Sequence, residues 1–218
     1  MMSENQSAST QRLIRKIVIP ALAGGVVGFG ASFGLMRFID SDAVGGLGTS
    51  ATVAALVGML YCVIALGILL GIANPRLGAR FLNVEDADEL REQQRMLLWS
   101  GVAMLLWGIA LLALALAGPD GPVPPPVALA VGAGGLVIGM ALSVAVYRAS
   151  DELMLAVNLE AGALTYALVL LVVGLWAMLA HLGYAAAPAP LDLLTLFYAL
   201  VLVASFIAIG RRGMLAVR

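Results

Sequence analysis

Six stretches of continuously apolar sequence, near residues 17–39, 51–73, 96–117, 127–147, 156–181 and 191–210, limit what this chain can become. Each is long enough to cross a hydrocarbon layer about 30 Å thick, which takes about 20 helical residues. Lipid offers no partners to backbone N–H and C=O groups, so a spanning segment must satisfy them internally, as a helix does. The predicted fold class is all-α: a polytopic membrane protein with six transmembrane helices arranged in hairpins. Composition agrees, since 62% of the 218 residues are hydrophobic and 11% are charged, against roughly 45–50% and about 25% in soluble domains. Polar and proline-rich punctuation separates the runs: Asn74-Pro75 after the second, GPDGPVPPP after the third and GYAAAPAP after the fifth.

The basic residues give an orientation. Arg12, Arg15, Lys16, Arg76, Arg80, Arg91, Arg95, Arg148, Arg211, Arg212 and Arg218 fall on one side of a six-span topology, leaving Arg37 near the other. Positive charge is retained in the cytoplasm, so both termini are expected there. Residues 1–16 read as a polar N-terminal tail, 17–210 as the transmembrane domain and 211–218 as a C-terminal tail. The first apolar run is longer than a signal-peptide core and reads as an uncleaved first span. The far-side loops are short and hold little beyond Asp40, Asp42, Asp120 and Asp192, which leaves no external domain for a bulky ligand. A net charge of −1 with scattered arginines argues against nucleic acid as a partner. The single cysteine, Cys62, lies in an apolar run, so no intrachain disulfide or cysteine-rich metal site can form.

Two segments recur. Asp88-Glu89-Leu90 and Asp151-Glu152-Leu153 each precede a long apolar run; with one residue of slip, Pro124 and Pro126 match Pro188 and Pro190, and Arg148 falls opposite Arg212. Recurrence in order suggests an internal duplication of the last two hairpins, with the first hairpin as a candidate third copy. The triplet itself has a structural explanation, because acids and a Ser or Asp cap suit a helix N-terminus.

Helices in lipid associate where small residues let backbones approach. Gly24 and Gly28, Gly30 and Gly34, Gly67 and Gly71, and Gly135 and Gly139 are spaced for this. The first, second and fourth spans are therefore expected to pack closest, within one chain or across an oligomer. The bulkier spans, with Trp99, Trp107 and Trp176, are expected to face lipid more. Trp99, Tyr147, Tyr184 and Tyr61 read as interfacial anchors.

Catalytic signals are weak. GASFG, residues 30–34, matches the G-x-S-x-G elbow of serine hydrolases, but Ser32 sits in an apolar helix rather than a strand-turn-helix corner. His181 lies near the opposite boundary from the cytoplasm and reads as an interfacial residue. No H-E-x-x-H, His/Cys cluster or phosphate-cradling loop occurs, so neither a metal nor a cofactor is expected. Arg37 reads as a snorkelling side chain or a partner of Asp40.

Glu160 carries the most information. With the fifth helix starting near Ser150, it lies one to two turns below the surface, where a carboxylate must reach water, protonate or pair. One reading makes Glu160, with Asn158, Thr165 and Arg95, a proton or cation site. The other extends the helix into water, so that Glu160 is wet and the span begins at Ala161. Twenty residues from Ala161 reach Ala180, which favours the second.

The run DELMLAVNLEAGALTYAL, in particular Asp151-Glu152 followed by Leu159-Glu160-Ala161, resembles a loop-to-helix motif of small polytopic bacterial inner-membrane proteins. The resemblance covers residues 150–168 and implies a bacterial inner-membrane location without implying an activity. In the first repeat Met96-Leu97-Leu98 stands where Leu159-Glu160-Ala161 stands in the second. The functional expectation is a non-enzymatic membrane component, acting through helix packing as an accessory, assembly or scaffold subunit. Its expected partners are the bilayer and a second copy or a larger membrane complex. The alternative is a small transporter or channel coupled through Glu160.

Overall fold

The computed structural model describes residues 19–42, 44–74, 93–118 and 121–214. The N-terminal tail, Asp88-Glu89-Leu90 with most of its connection, and the residues from 215 onward lie outside that set. Six helices make up the described chain: α1 Ile19–Ile39, α2 Thr49–Ala73, α3 Gln94–Ala115, α4 Pro125–Ala149, α5 Glu152–His181 and α6 Pro190–Arg211. All six are long and apolar enough to cross a membrane, and the described residues contain no strand. The protein is an integral, multi-pass membrane protein of all-α class.

Local chemistry sets the helix ends. Both α4 and α6 open on a proline, at Pro125 and Pro190, where the missing N–H has no helical partner to lose. Asp151 caps α5, its side chain accepting the Met154 N–H at 2.7 Å. This capping is the role read into the second Asp-Glu-Leu triplet. At the other end of α5, Gly183 takes a φ of 79°, and the amides of Gly183 and Tyr184 return to the carbonyls of Ala180 and Leu179. Gly213, at φ 69°, repeats this after α6, with its own amide and that of Met214 returning to Gly210 and Ile209. These paired returns close carbonyls that a helix otherwise leaves open, and they need the left-handed conformation that glycine adopts without strain.

The centre of the bundle is α3, which packs extensively against both α2 and α4. This corrects the expectation that the tryptophan-bearing third span faces lipid. The cause is a small-residue pattern repeating every seven positions. Gly101, Gly108 and Ala115 are buried on α3, as are Ala103 and Ala110, which is the spacing of a helix seam in left-handed crossing. At Gly108 a Cβ would come within 2.7 Å of Cys62 Sγ and 2.8 Å of the Gly58 carbonyl oxygen, so α2 and α3 touch backbone to backbone. On the other face of α3, a Cβ at Gly135 would approach Leu106 O to 2.9 Å, and Gly139 seats the Trp107 indole. The bulk of Trp107 fits at the centre because α4 offers it a glycine.

The hairpin of α5 and α6 joins this row through α6, which packs on α2 and touches α3. Tyr198 on α6 closes the joint: its ring lies 5.1 Å from Tyr61 and 6.4 Å, edge-on, from Trp107. The Tyr61 hydroxyl donates to the Tyr198 carbonyl at 2.8 Å. Tyr61 is 2% exposed, so it is a core residue and not the interfacial anchor its sequence position suggested. Helix α1 meets the bundle through its last turns, where Leu35 and Ile39 are buried against α2, while Leu22, Val26 and Phe29 stand exposed.

Candidate functional site

Glu160 lies on α5 two turns after the helix begins at Glu152. An antiparallel hairpin sets the start of α5 beside the end of α6, and the end of α6 carries Arg211 and Arg212. Glu160 Oε1 lies 3.2 Å from Arg211 Nη1, and Oε2 accepts from Arg212 Nε at 2.9 Å. The carboxylate side chain is 22% exposed, against 33% for Arg212 and 65% for Arg211. Both carboxylate oxygens are thus occupied by cations at the edge of the bundle. Just beneath, Val157 and Ala161 on α5 pack against Ala208 on α6, with Leu164, Ile209 and Met214 around them. This apolar seam brings the hairpin legs close enough for the ion pairs to form.

The other residues expected with Glu160 do other work. The Arg95 guanidinium lies 4.5 Å over the Trp99 ring. The cations that meet Glu160 are Arg211 and Arg212 instead, because the hairpin brings α6, and not α3, to that face of α5. Asn158 is exposed, and the Thr165 hydroxyl donates to Ala161 O at 2.7 Å within its own helix. The four residues do not converge on one point. The position of Arg211 and Arg212 was available from the hairpin alone, since its two legs are nearly antiparallel neighbours.

The glycines divide into two groups. Gly135 and Gly139 are buried against α3, and Gly71 is buried on α2. Among the described residues, Gly24, Gly28, Gly30, Gly34 and Gly67 have no atom of a neighbouring element within 4 Å of where a Cβ would be. Four of these five are on α1, and Gly67 is on α2. Arg37, at the end of α1, lies 5.4 Å over the Phe33 ring, and Phe33 stacks with Phe29 at 6.2 Å. Among the described residues no ion pair joins Arg37 to Asp40.

His181 ends α5 in an exposed position, and Ser32 lies partly buried on α1. Among the described residues no group of three or more His, Cys, Asp or Glu side chains is placed to hold a metal ion. Arg95, Arg148, Arg211 and Arg212 lie at helix ends on one side of the bundle, the arginine-bearing end used below as a reference. Comparison of the chain with models of known families, with curated proteins and with solved structures returned no match.

Proposed function

We propose that this protein is a non-enzymatic component of a bacterial inner membrane, an accessory, assembly or oligomeric scaffold subunit that works through lateral helix contacts. In this reading the arginine-bearing end and both termini are cytoplasmic. The observation that carries it is the state of α1. Among the described residues, two glycine pairs at helix-packing spacing, Gly24 with Gly28 and Gly30 with Gly34, have no neighbouring helix within 4 Å of a Cβ, on a helix that meets its own bundle through its last turns. Such small residues are where a second chain can make close backbone contact.

A Cβ at Gly24 or Gly28 has no neighbouring helix of the described residues within 4 Å, so the double variant Gly24→Ala/Gly28→Ala is expected to keep the monomer's unfolding midpoint. It loses the higher-mass species that wild type forms in native mass spectrometry from lipid nanodiscs. A wild-type protein that is strictly monomeric and partnerless in those nanodiscs, or a variant that still assembles, refutes the reading.

The pairing of Glu160 supports a structural role for that residue over transport. Both of its oxygens are engaged by Arg211 and Arg212, and the hairpin ends are the groups that this pairing joins. Proton or cation flux into liposomes, lost in Glu160→Gln and kept in Glu160→Asp, would transfer the function to the transporter reading.

A further inference from the structure

At the end of the bundle away from the arginines, α2, α5 and α6 leave a crevice of about 520 Å³. Small-molecule sites have volumes of roughly 300–1,000 Å³. The lining is ordered by depth. Thr49 and Ser50 begin α2 and Asp192 lies in the first turn of α6, so polar residues and a carboxylate mark the rim. Val53 and Val57 follow on α2, with Leu196 and Ala199 opposite them on α6. From Thr49 to Val57 the wall descends about 12 Å at roughly 1.5 Å per residue. Polar rim and apolar depth match the two ends of an amphiphile standing parallel to the lipids.

Charge and hydrogen bonding specify the head. Asp192 is the one charged residue among those lining the crevice, and no Lys or Arg accompanies it. Its Oδ2 accepts the Ala189 N–H at 2.8 Å, which engages one oxygen with a neutral donor. The Thr195 hydroxyl is engaged with Leu191 O at 2.8 Å, and Trp176 Nε1 with Ala186 O at 2.9 Å. Trp176 therefore contributes its ring, and an indole beside a carboxylate suits an ammonium ion. An anionic head would meet Asp192 without compensation, and a neutral one would leave a carboxylate at the membrane boundary without a counter-ion.

We propose that this crevice binds an amphiphile with an ammonium head, the ammonium against Asp192 and the apolar tail along Val53, Val57, Leu196 and Ala199. The ammonium group can belong to an aminolipid of the bilayer or to a free alkylamine, since both carry an ammonium at the end of an apolar tail.

The test uses the full chain in phosphatidylglycerol liposomes, which contain no ammonium lipid. Three trace probes carry a photoreactive diazirine in the same alkyl tail but end in an ammonium, a carboxylate or a hydroxyl. The ammonium probe is expected to label residues 53–57 and 196–199 several-fold more than the other two. Asp192→Asn keeps an acceptor for the Ala189 N–H while removing the charge, and should lower ammonium labelling to the hydroxyl level. Ala199→Phe fills the depth of the crevice and should abolish labelling of both segments. Competition by added phosphatidylethanolamine assigns the site to a lipid, and competition by dodecylammonium alone assigns it to a free amine. Equal labelling by all three heads, labelling unchanged in Asp192→Asn, or no competition by either amine overturns the proposal.

Discussion

Replacing Gly108 by alanine tests the central seam at its tightest point. The added methyl would lie 2.7 Å from Cys62 Sγ, 2.8 Å from Gly58 O and 3.0 Å from Cys62 N. Two of those three atoms are backbone, so no rotamer change relieves the contact and the helices themselves must separate. Opening the Gly58 contact from 2.8 Å to an ordinary 3.4 Å moves α2 and α3 apart by about 0.6 Å. A gap of roughly 0.5–1 Å already forfeits a quarter to a half of the dispersion between facing atoms, and overpacking typically costs about 1–3 kcal/mol. Alanine returns about 0.5–1 kcal/mol of helix preference over glycine, leaving a net loss of up to about 2.5 kcal/mol.

Gly67→Ala, on α2 with no described neighbour within 4 Å of its Cβ, is the control and should gain about 0.5–1 kcal/mol from helix preference alone. The assay is unfolding of the purified protein in detergent followed by circular dichroism. The Gly58 Cβ would in turn lie 2.9 Å from Gly108 O, so one separation relieves both clashes. The double variant Gly58→Ala/Gly108→Ala should therefore lose less than the two single losses added together. Equal midpoints for Gly108→Ala and Gly67→Ala would refute the backbone contact between α2 and α3.

Tyr61→Phe removes the hydroxyl that ties α2 to α6 and should cost about 0.6 kcal/mol, at most about 1.7, the range measured for hydrogen bonds between membrane helices; the same unfolding assay reads it. Asp151→Ala removes the side-chain acceptor for the Met154 N–H and should destabilise α5 by about 0.5–2 kcal/mol, seen as faster hydrogen exchange over its first turn. Arg211→Ala and Arg212→Ala each leave Glu160 one cation and should each cost no more than about 1 kcal/mol. Removing both strands the carboxylate, so the double variant should lose more than the sum of the two, and a merely additive loss would contradict a shared site.

The six helices were legible because span length is dictated by bilayer thickness, and apolar runs of that length leave few alternatives. Order within the bundle was less accessible. A search for glycines four apart finds the buried Gly135 and Gly139 but also α1, where Gly24, Gly28, Gly30 and Gly34 meet no neighbouring element among the described residues. The buried seam of α3 repeats at seven, through Gly101, Gly108 and Ala115, and mixes glycine with alanine, so it carries no four-residue signature. Tyr61 looks like an anchor in one dimension; only the arrival of Tyr198 from α6 makes its hydroxyl a buried donor. Glu160 was recognised as unusual from its place in an apolar helix. Its partners were missed because Arg95 was chosen by analogy between repeats, whereas hairpin geometry points to Arg211 and Arg212.

The account rests on six crossings with Arg95, Arg148, Arg211 and Arg212 facing the cytoplasm. Its most direct test is labelling of single cysteines, introduced in a Cys62→Ala background, with a membrane-impermeant thiol reagent on intact and then permeabilised cells. Cysteines at Ser41 and Ala187 should react in intact cells, and those at Asn74 and Ser150 only after permeabilisation. Reaction of all four in intact cells, or of none of them until permeabilisation, would contradict the topology and the functional reading built on it.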